Sequence, residues 1–189
     1  MLEIRFHGRG GQGTVLAAKM LADAVLRSGR GECMAIPEFG VERRGAPVLA
    51  YARISDGPIR VRSRIYFPDA VVVLDPLLSL SPLVVAGLKP GGAVVANSDK
   101  SAEELAVGRP GFRWYPVPAK EIALRHGLGS KTSPMVNTAI CGALVAALQV
   151  ADFPALEAAI RESVPVKFDQ NVAAAREGYE AVLRSNAAA

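Results

Sequence analysis

Apolar and ionisable residues alternate at the start of the chain, where Leu2, Ile4 and Phe6 are each followed by an ionisable residue. A period of two residues predicts a β-strand whose two faces differ. A glycine-rich run follows, and residues 14–26 then place apolar side chains at helical spacing, with Gly29 as a suitable C-terminal stop. The chain therefore opens with a strand, a glycine-rich turn and a helix.

The rest of the chain alternates apolar runs of strand length with segments of helical period. Further strands are predicted at residues 32–36, 48–54, 59–65, 70–74, 93–96 and 112–117. Further helices are predicted in the first part of residues 77–88 and at residues 119–126, 136–148, 154–162 and 169–184. We expect Asp169 to cap the last helix, because an aspartate oxygen can accept a hydrogen bond from a first-turn N–H.

This order of elements predicts an α/β fold, with a Rossmann-like open sheet and helices on both of its faces. The sheet should be mostly parallel but mixed. Residues 55–58 have the composition of a turn, and they join the flanking strands into an inserted β-hairpin at residues 48–65. The sequence has no internal repeat and no linker, so we expect residues 1–189 to form a single domain.

Half of the 189 residues are apolar, and 22 basic residues against 18 acidic ones give a net charge of +4. This charge falls far short of the clustered excess expected of a nucleic-acid-binding protein. Two cysteines, Cys33 and Cys141, are too few for a Cys₄ cluster site or a disulfide framework, which fits a reducing cytoplasm. The most apolar segment, residues 138–150, is too short to span a membrane. We therefore expect a cytoplasmic protein.

The strongest local signal is a loop made of Gly8, Arg9, Gly10, Gly11, Gln12 and Gly13. Three of its glycines match the G-x-G-x-x-G pattern between a strand and a helix, where backbone N–H groups and the helix dipole attract a diphosphate. Gly11 leaves the loop unusually open, and Arg9 could add a positive charge to the same anion. A tight turn without a ligand is the alternative interpretation.

A second loop, residues 37–47, is dense in charged residues and glycine. It contains Glu42, Arg43 and Arg44, and adjacent arginines suit the binding of phosphate or carboxylate because a guanidinium is a planar fork of donors. A salt-linked surface turn that involves Glu38 and Glu42 is the alternative. The nearby Arg60, Arg62 and Arg64 alternate with apolar residues, and we interpret them as a solvated strand face.

Residues for catalysis are scarce. His7 and His126 have no nucleophile beside them in the sequence, and both cysteines have apolar neighbours. Asp75 follows a buried strand, where ligands of parallel sheets bind, but we favour the interpretation that it caps the following helix across Pro76. The sequence therefore contains no recognisable complete active site.

At the two loops the sequence resembles a known family. Residues 4–13 and 39–46 are similar to the gamma subunit, or gamma domain, of 2-oxoacid:ferredoxin oxidoreductases. The run that ends in Asp75-Pro76 follows in the family's order, and Asn137 with Gly142 is similar to its late helix motif. The glycine loop together with the Glu-Arg-Arg-Gly segment is a far more specific signature than a lone glycine pattern.

The family cleaves a 2-oxoacid oxidatively with coenzyme A, releases carbon dioxide and passes two electrons to ferredoxin. The resemblance implies a non-catalytic subunit that is inactive alone. Thiamine diphosphate, Mg²⁺ and the iron–sulfur clusters would be held by the alpha, beta and delta subunits, and ferredoxin would meet the whole complex. This chain would serve assembly, with a homodimer contact as a further expectation. Our hypothesis is that the two loops face phosphates of coenzyme A.

Two other functions stay open on the residues alone. The first is a stand-alone oxidoreductase that binds NAD or FAD through the glycine loop. The chain is short for the additional substrate domain that this needs, and Glu38 falls late, beyond Pro37, for the acidic residue that would hold a ribose. The second is a nucleotide-binding module without enzymatic activity.

Overall fold

The computed structural model describes residues 1–38 and 45–187. Its main sheet consists of β1 (Leu2–Arg9), β2 (Glu32–Pro37), β3 (Pro47–Ser55), β4 (Ala70–Val73), β5 (Ala93–Asn97) and β6 (Arg113–Val117). The strands lie in the order β2-β3-β1-β4-β5-β6. β3 is antiparallel to both of its neighbours, and β1, β4, β5 and β6 pair in parallel. The predicted mixed, mostly parallel α/β sheet is confirmed.

The helices cover both faces of this sheet. They are α1 (Thr14–Arg27), α2 (Ala102–Ala106), α3 (Ala119–Arg125), α4 (Asn137–Leu148), α5 (Phe153–Ser163) and α6 (Phe168–Ala187). The larger apolar core lies between one face and helices α1, α3, α4, α5 and α6. A smaller core lies on the other face, between β4–β6 and the segments that contain Val84, Leu88 and Leu105. None of the helices described is both long and apolar enough to cross a bilayer.

Two short elements complete the fold. A small antiparallel ribbon pairs β7 (Gly129–Ser130) with β8 (Ser133–Pro134) ahead of α4. Glycines let α4 and α6 approach closely, because a Cβ on Gly142 would lie 1.8 Å from the Ala175 carbonyl oxygen and one on Gly178 would lie 2.2 Å from that of Ala139. These two glycines fix the place of α4, whose first residue reaches the glycine loop.

Residues 59–65 do not form the strand that their alternation predicts, so the second half of the predicted hairpin is wrong. β3 is already hydrogen-bonded to β1 on one side and β2 on the other, which leaves no free edge. The Val61 and Ser63 carbonyls instead accept hydrogen bonds from Nη1 of Arg53, at 3.1 and 2.8 Å. Arg53 is 2% exposed and also pairs with Glu3. A buried guanidinium needs several acceptors, and this irregular segment supplies them.

The predicted helix in residues 77–88 is also wrong. The structure has two single 3₁₀ turns there, Leu78–Leu80 and Pro82–Val85. Ser81 between them is extended, because a proline disfavours the helical conformation in the residue before it. The Ser81 hydroxyl then caps the second turn by accepting a hydrogen bond from the Leu83 N–H at 3.3 Å.

Asp169 does not cap the last helix, which begins one residue earlier at Phe168. Lys167 has a left-handed φ of 56°, and its carbonyl accepts the hydrogen bond of the Asn171 N–H at 3.0 Å. The chain therefore turns before Asp169. The Asp169 carboxylate lies in the first helical turn, where its negative charge interacts favourably with the positive end of the helix dipole. It also pairs with Arg161 at 2.8 Å.

Candidate anion-binding site

The glycine loop connects β1 directly to α1, and geometry favours glycine at three of its positions, Gly8, Gly11 and Gly13. A Cβ on Gly8 would lie 2.1 Å from Oγ1 of Thr14, so no side chain fits there. Gly13 has a φ of 76°, and a Cβ on it would lie 2.6 Å from Nδ2 of Asn137 at the start of α4. Gly11 also has a left-handed φ, of 95°, but the space around it is open. The loop is therefore tightly packed where Gly8 and Gly13 contact Thr14 and Asn137, and it is open at Gly11.

Within residues 1–38 and 45–187, no side chain caps the N-terminus of α1. Gly13 precedes the helix without a side-chain cap, and the first turn contains no acidic residue. The first hydrogen bond of the helix runs from the Ala17 N–H to the Gly13 carbonyl, at 2.8 Å. The N–H groups of Thr14, Val15 and Leu16 come before that bond, so the helix gives them no partner. This end of α1 attracts an anion through those groups and the helix dipole.

A cleft of about 580 Å³ opens in front of this helix end. The glycine loop and the first turn of α1 form one side of it, and Pro37, Val48 and Met135 form an apolar wall. The exposed Lys19, one turn further along α1, lies at the same cleft. The cleft therefore combines the N–H groups of a helix N-terminus, the cationic side chains of Arg9 and Lys19, and an apolar surface.

Asp75 links the glycine loop to the end of β4. Its Oδ2 accepts a hydrogen bond from Nε2 of Gln12 at 2.9 Å and lies 3.2 Å from Nε of Arg9. Its Oδ1 accepts the Leu77 N–H at 3.0 Å, which confirms that it caps the next turn. Gln12 also accepts the Arg9 N–H through Oε1, at 2.8 Å. Arg9, expected to face an anion, thus has a carboxylate partner already.

This link fills the place that a dinucleotide would need. The strand order reverses between β1 and β4, and dinucleotides bind across the crevice at such a point. Here Gln12, Arg9 and Asp75 close that crevice. Glu38 is separated from β1 by the whole of β3, and its carboxylate is taken by the Tyr51 hydroxyl and by Arg64. The geometry argues against the NAD or FAD interpretation.

The predicted residues Glu42, Arg43 and Arg44 lie outside the described residues. The residues that follow them are attached to the glycine loop. The Gly45 N–H donates to the Gly10 carbonyl at 3.1 Å, and the Gly10 N–H donates to the Ala46 carbonyl at 2.9 Å. Nη1 of Arg9 also donates to the Gly45 carbonyl at 3.2 Å. The C-terminal flank of the second loop therefore belongs to the same site as the glycine loop.

Burial shifts the pKa of His7 and of both cysteines. Burial, and then the charge of Arg5, lowers the pKa of His7 to about 4, and its Nε2 accepts a hydrogen bond from Nε of Arg5 at 2.9 Å. Burial raises the pKa of both cysteine thiols, Cys33 and Cys141, to about 12. Across residues 1–38 and 45–187, no three His, Cys, Asp or Glu residues form a group that could hold a metal.

Three residues of the site had little or no role in the sequence-based prediction of it. Asp75 follows a buried strand, and that position was a usable signal, although nothing in the sequence pairs it with Gln12. Asn137 matched only a family motif, and its contact with Gly13 depends on how α4 packs. In the sequence, Lys19 has no feature that separates it from other surface lysines, because only its position at the cleft distinguishes it.

A family model for pyruvate ferredoxin/flavodoxin oxidoreductase matches residues 3–181. The chain belongs to this family. A common gamma subunit of the pyruvate and ketoisovalerate oxidoreductases, from Thermococcus kodakarensis, is 47% identical over 183 residues, which are 95% of this chain and 96% of the relative. The chain is thus the gamma subunit of a multi-subunit pyruvate or ketoacid ferredoxin oxidoreductase.

Solved structures of relatives have the same fold. The pyruvate oxidoreductase subunit PORC of Thermotoga maritima superposes with a TM-score of 0.79, at 37% identity and with 95% of both chains covered. The 2-oxoglutarate:ferredoxin oxidoreductase of Magnetococcus marinus, solved with 2-oxoglutarate, coenzyme A and succinyl-CoA bound, gives a TM-score of 0.73 at 21% identity. The match covers 97% of this gamma subunit but 31% of the Magnetococcus chain, and it shows a common fold.

Proposed function

We propose that this gamma subunit has no catalytic centre of its own and serves the oxidoreductase by assembling with the alpha, beta and delta subunits. Thiamine diphosphate with Mg²⁺ and the iron–sulfur clusters then belong to those partners, and ferredoxin is reduced by the whole complex. The side chains described here do not fit an iron–sulfur cluster, since a cluster needs several thiolates, whereas Cys33 is half-buried and Cys141 buried, each with a pKa of about 12.

We further propose that the cleft at the glycine loop contacts a phosphate group of coenzyme A in the assembled enzyme. The uncapped N-terminus of α1 at the 580 Å³ cleft is the observation that carries this proposal. Coenzyme A has a diphosphate and a further phosphate, and such groups bind helix N-termini and cations. Lys19 lines the cleft, and Arg43 and Arg44 immediately precede the loop residue Gly45 in sequence. The Magnetococcus relative was solved with coenzyme A bound.

Reconstitution tests the subunit role. The purified gamma subunit should contain no iron, sulfide, thiamine or flavin by chemical analysis, and it should show no activity with a 2-oxoacid, coenzyme A and ferredoxin. Mixed with separately purified alpha, beta and delta subunits, it should co-elute as one complex, and that complex should reduce ferredoxin. Activity of the partners that does not change when this subunit is added would contradict the proposal, as would iron or flavin bound to the isolated chain.

Isothermal titration separates coenzyme A binding from the alternatives. If the chain were a stand-alone dinucleotide enzyme or a nucleotide-binding module, NAD or FAD should bind the isolated subunit at least as tightly as coenzyme A does. We expect the reverse order, because the crevice that a dinucleotide needs is closed by Asp75 and Gln12. Tighter binding of NAD or FAD would contradict the assignment of this cleft.

A further inference from the structure

A second cavity, of about 430 Å³, lies on the face of the sheet opposite α1. Its floor is formed by side chains of β1 and β3, among them His7 and Tyr51, and its walls by the irregular segment at Ile65 and the turns at Leu78 and Val84. Gly8 of the glycine loop also lines this cavity, and Val48 lines both the cavity and the glycine-loop cleft, so the two are neighbours at that end.

Large apolar side chains are exposed to water at this cavity and in the segments next to it. This apolar patch consists of Tyr66 (66% exposed), Phe67 (68%), Leu77 (70%), Leu80 (54%) and Leu83 (75%). Tyr66 and Leu83 line the cavity itself, and the other three lie beside them along the chain or in the adjoining turn. Exposed apolar side chains concentrated in one region are typical of interaction sites in soluble proteins.

The patch is held in place from beneath by a buried arginine. Nη2 of Arg5 donates to the Val84 carbonyl at 3.0 Å and to the Ala86 carbonyl at 2.6 Å, and Nη1 donates to the Tyr66 carbonyl at 3.5 Å. One guanidinium thus ties the two segments that carry the patch to the sheet. A surface whose backbone is fixed in this way loses little further freedom when a partner docks on it.

The segment that leads into the cavity wall at Ile65 carries three arginines, Arg60, Arg62 and Arg64, and we call this segment the charged rim. Arg60 and Arg62 are exposed, and among residues 1–38 and 45–187 no carboxylate lies within 4.0 Å of either. Arg64 at the cavity wall pairs with Glu38 at 2.6 Å. In a symmetric pair of copies that met through this patch, arginines would face arginines, and that arrangement is disfavoured. The charge therefore favours a different protein whose surface is acidic.

We infer that this patch is the docking surface for a partner subunit of the same oxidoreductase, one that inserts an aliphatic or aromatic side chain into the 430 Å³ cavity and flanks it with Asp or Glu. This inference rests on the proposed role of the chain in assembly. A buried apolar anchor inside a charged rim is the usual arrangement of strong protein–protein contacts.

The test uses the Leu83→Glu variant with Val107→Glu as its matched control. Both side chains are exposed to a similar extent, 75% and 78%, but Val107 lies outside the patch. Binding of each variant to the separately purified alpha, beta and delta subunits is measured by surface plasmon resonance. We expect roughly tenfold or greater weakening for Leu83→Glu, as for a buried anchor residue, and less than about twofold for Val107→Glu. Thermal unfolding should show both variants to be folded.

The charged rim is tested separately with the double change Arg60→Glu and Arg62→Glu, against Lys120→Glu as an exposed control. The double variant should associate roughly tenfold more slowly at low ionic strength, and high salt should reduce that difference. Hydrogen exchange in the wild-type complex should protect residues 60–67 and 77–85.

The outcomes separate this inference from the proposed function. If the wild-type subunit does not bind the partner subunits, the assembly role itself fails. If it binds but Leu83→Glu behaves as Val107→Glu does, the docking surface is overturned while the assembly role stands. Dimers of the isolated chain that Leu83→Glu disrupts would show that a second copy occupies the patch instead. Binding to anionic phosphatidylserine vesicles that Leu83→Glu abolishes would assign it to a membrane, and either result overturns the inference.

Discussion

Replacement of Asp75 by asparagine should destabilise the glycine loop, although the two side chains have nearly the same shape. The carboxylate accepts hydrogen bonds on both oxygens, from Gln12 and from the Leu77 N–H. An asparagine has one oxygen, so its amide nitrogen must face one of those donors. Gln12 cannot compensate by turning its own amide, because its oxygen already accepts the Arg9 N–H. In every orientation, one donor therefore faces another donor.

The expected loss follows from these contacts. A donor left without its acceptor in a mostly buried place costs about 1–3 kcal/mol. Loss of the Arg9–Asp75 ion pair adds at most about 1 kcal/mol, because the Arg9 side chain is 34% exposed. We expect Asp75→Asn to lower the free energy of unfolding by roughly 2–3 kcal/mol, or roughly 4–12 °C in Tm for a chain of this length. Urea and thermal unfolding of the isolated subunit measure both.

Two further variants make this prediction specific. Asp169→Asn removes an exposed carboxylate that pairs with Arg161, and it should cost less than about 0.5 kcal/mol. Gln12→Glu alone should destabilise the loop, since it places two carboxylates within hydrogen-bond distance. In the Asp75→Asn background, the same Gln12→Glu change should restore stability, because its oxygens accept from both the introduced amide and the Arg9 N–H. Strictly additive losses in the double variant, or equal losses for Asp75→Asn and Asp169→Asn, would refute the reasoning.

Two other stability predictions follow from the contacts described. Gly142→Ala should lower the free energy of unfolding, measured in urea, by roughly 1–3 kcal/mol, because the added Cβ overpacks against the Ala175 carbonyl. The control Gly57→Ala, whose Cβ would lie in open space, should change it by less than about 0.5 kcal/mol. A Gly142→Ala variant more stable than the wild type would contradict the close α4–α6 contact. Burial and Arg5 lower the pKa of His7 from 6.5 to about 4 in the folded state. Between these two pH values only the unfolded chain binds this proton, so the free energy of unfolding should fall by up to roughly 3 kcal/mol as the pH is lowered from 6.5 to 4. The His7→Gln variant should lose less stability over the same range. Parallel pH profiles of the wild type and the variant would disprove this prediction.

Periodicity predicted the sheet well where strands are buried on both faces or alternate in a regular way. It failed at residues 59–65, where alternation is real but the neighbouring strand has no free edge. The acceptors in that segment serve Arg53 instead. Strand pairing is a property of the whole sheet, so the local alternation could not show that no partner strand was available to this segment.

The candidate site could be predicted from the sequence only where its features are local. The loop from Gly8 to Gly13 has a local signature, because its left-handed φ values and close contacts demand glycine at fixed positions. The link between Gln12 and Asp75 joins residues that are far apart in sequence and neighbours only in the finished sheet. Arg9 was expected to face an anion, but its guanidinium pairs with Asp75, and the sequence does not show that these two residues are neighbours. Contacts of this kind follow from strand order, which one sequence does not specify.

The coenzyme A assignment is tested most directly by the apparent KM values of the reconstituted oxidoreductase with Lys19→Glu, compared with Lys131→Glu. Both lysines are exposed, but only Lys19 lines the glycine-loop cleft. We predict that Lys19→Glu raises the KM for coenzyme A by roughly five- to tenfold and leaves the KM for the 2-oxoacid nearly unchanged, as expected when one anion contact is lost. Arg43→Glu or Arg44→Glu should act in the same direction. Equal coenzyme A KM values in the Lys19→Glu, Lys131→Glu and wild-type complexes would contradict coenzyme A binding at this cleft.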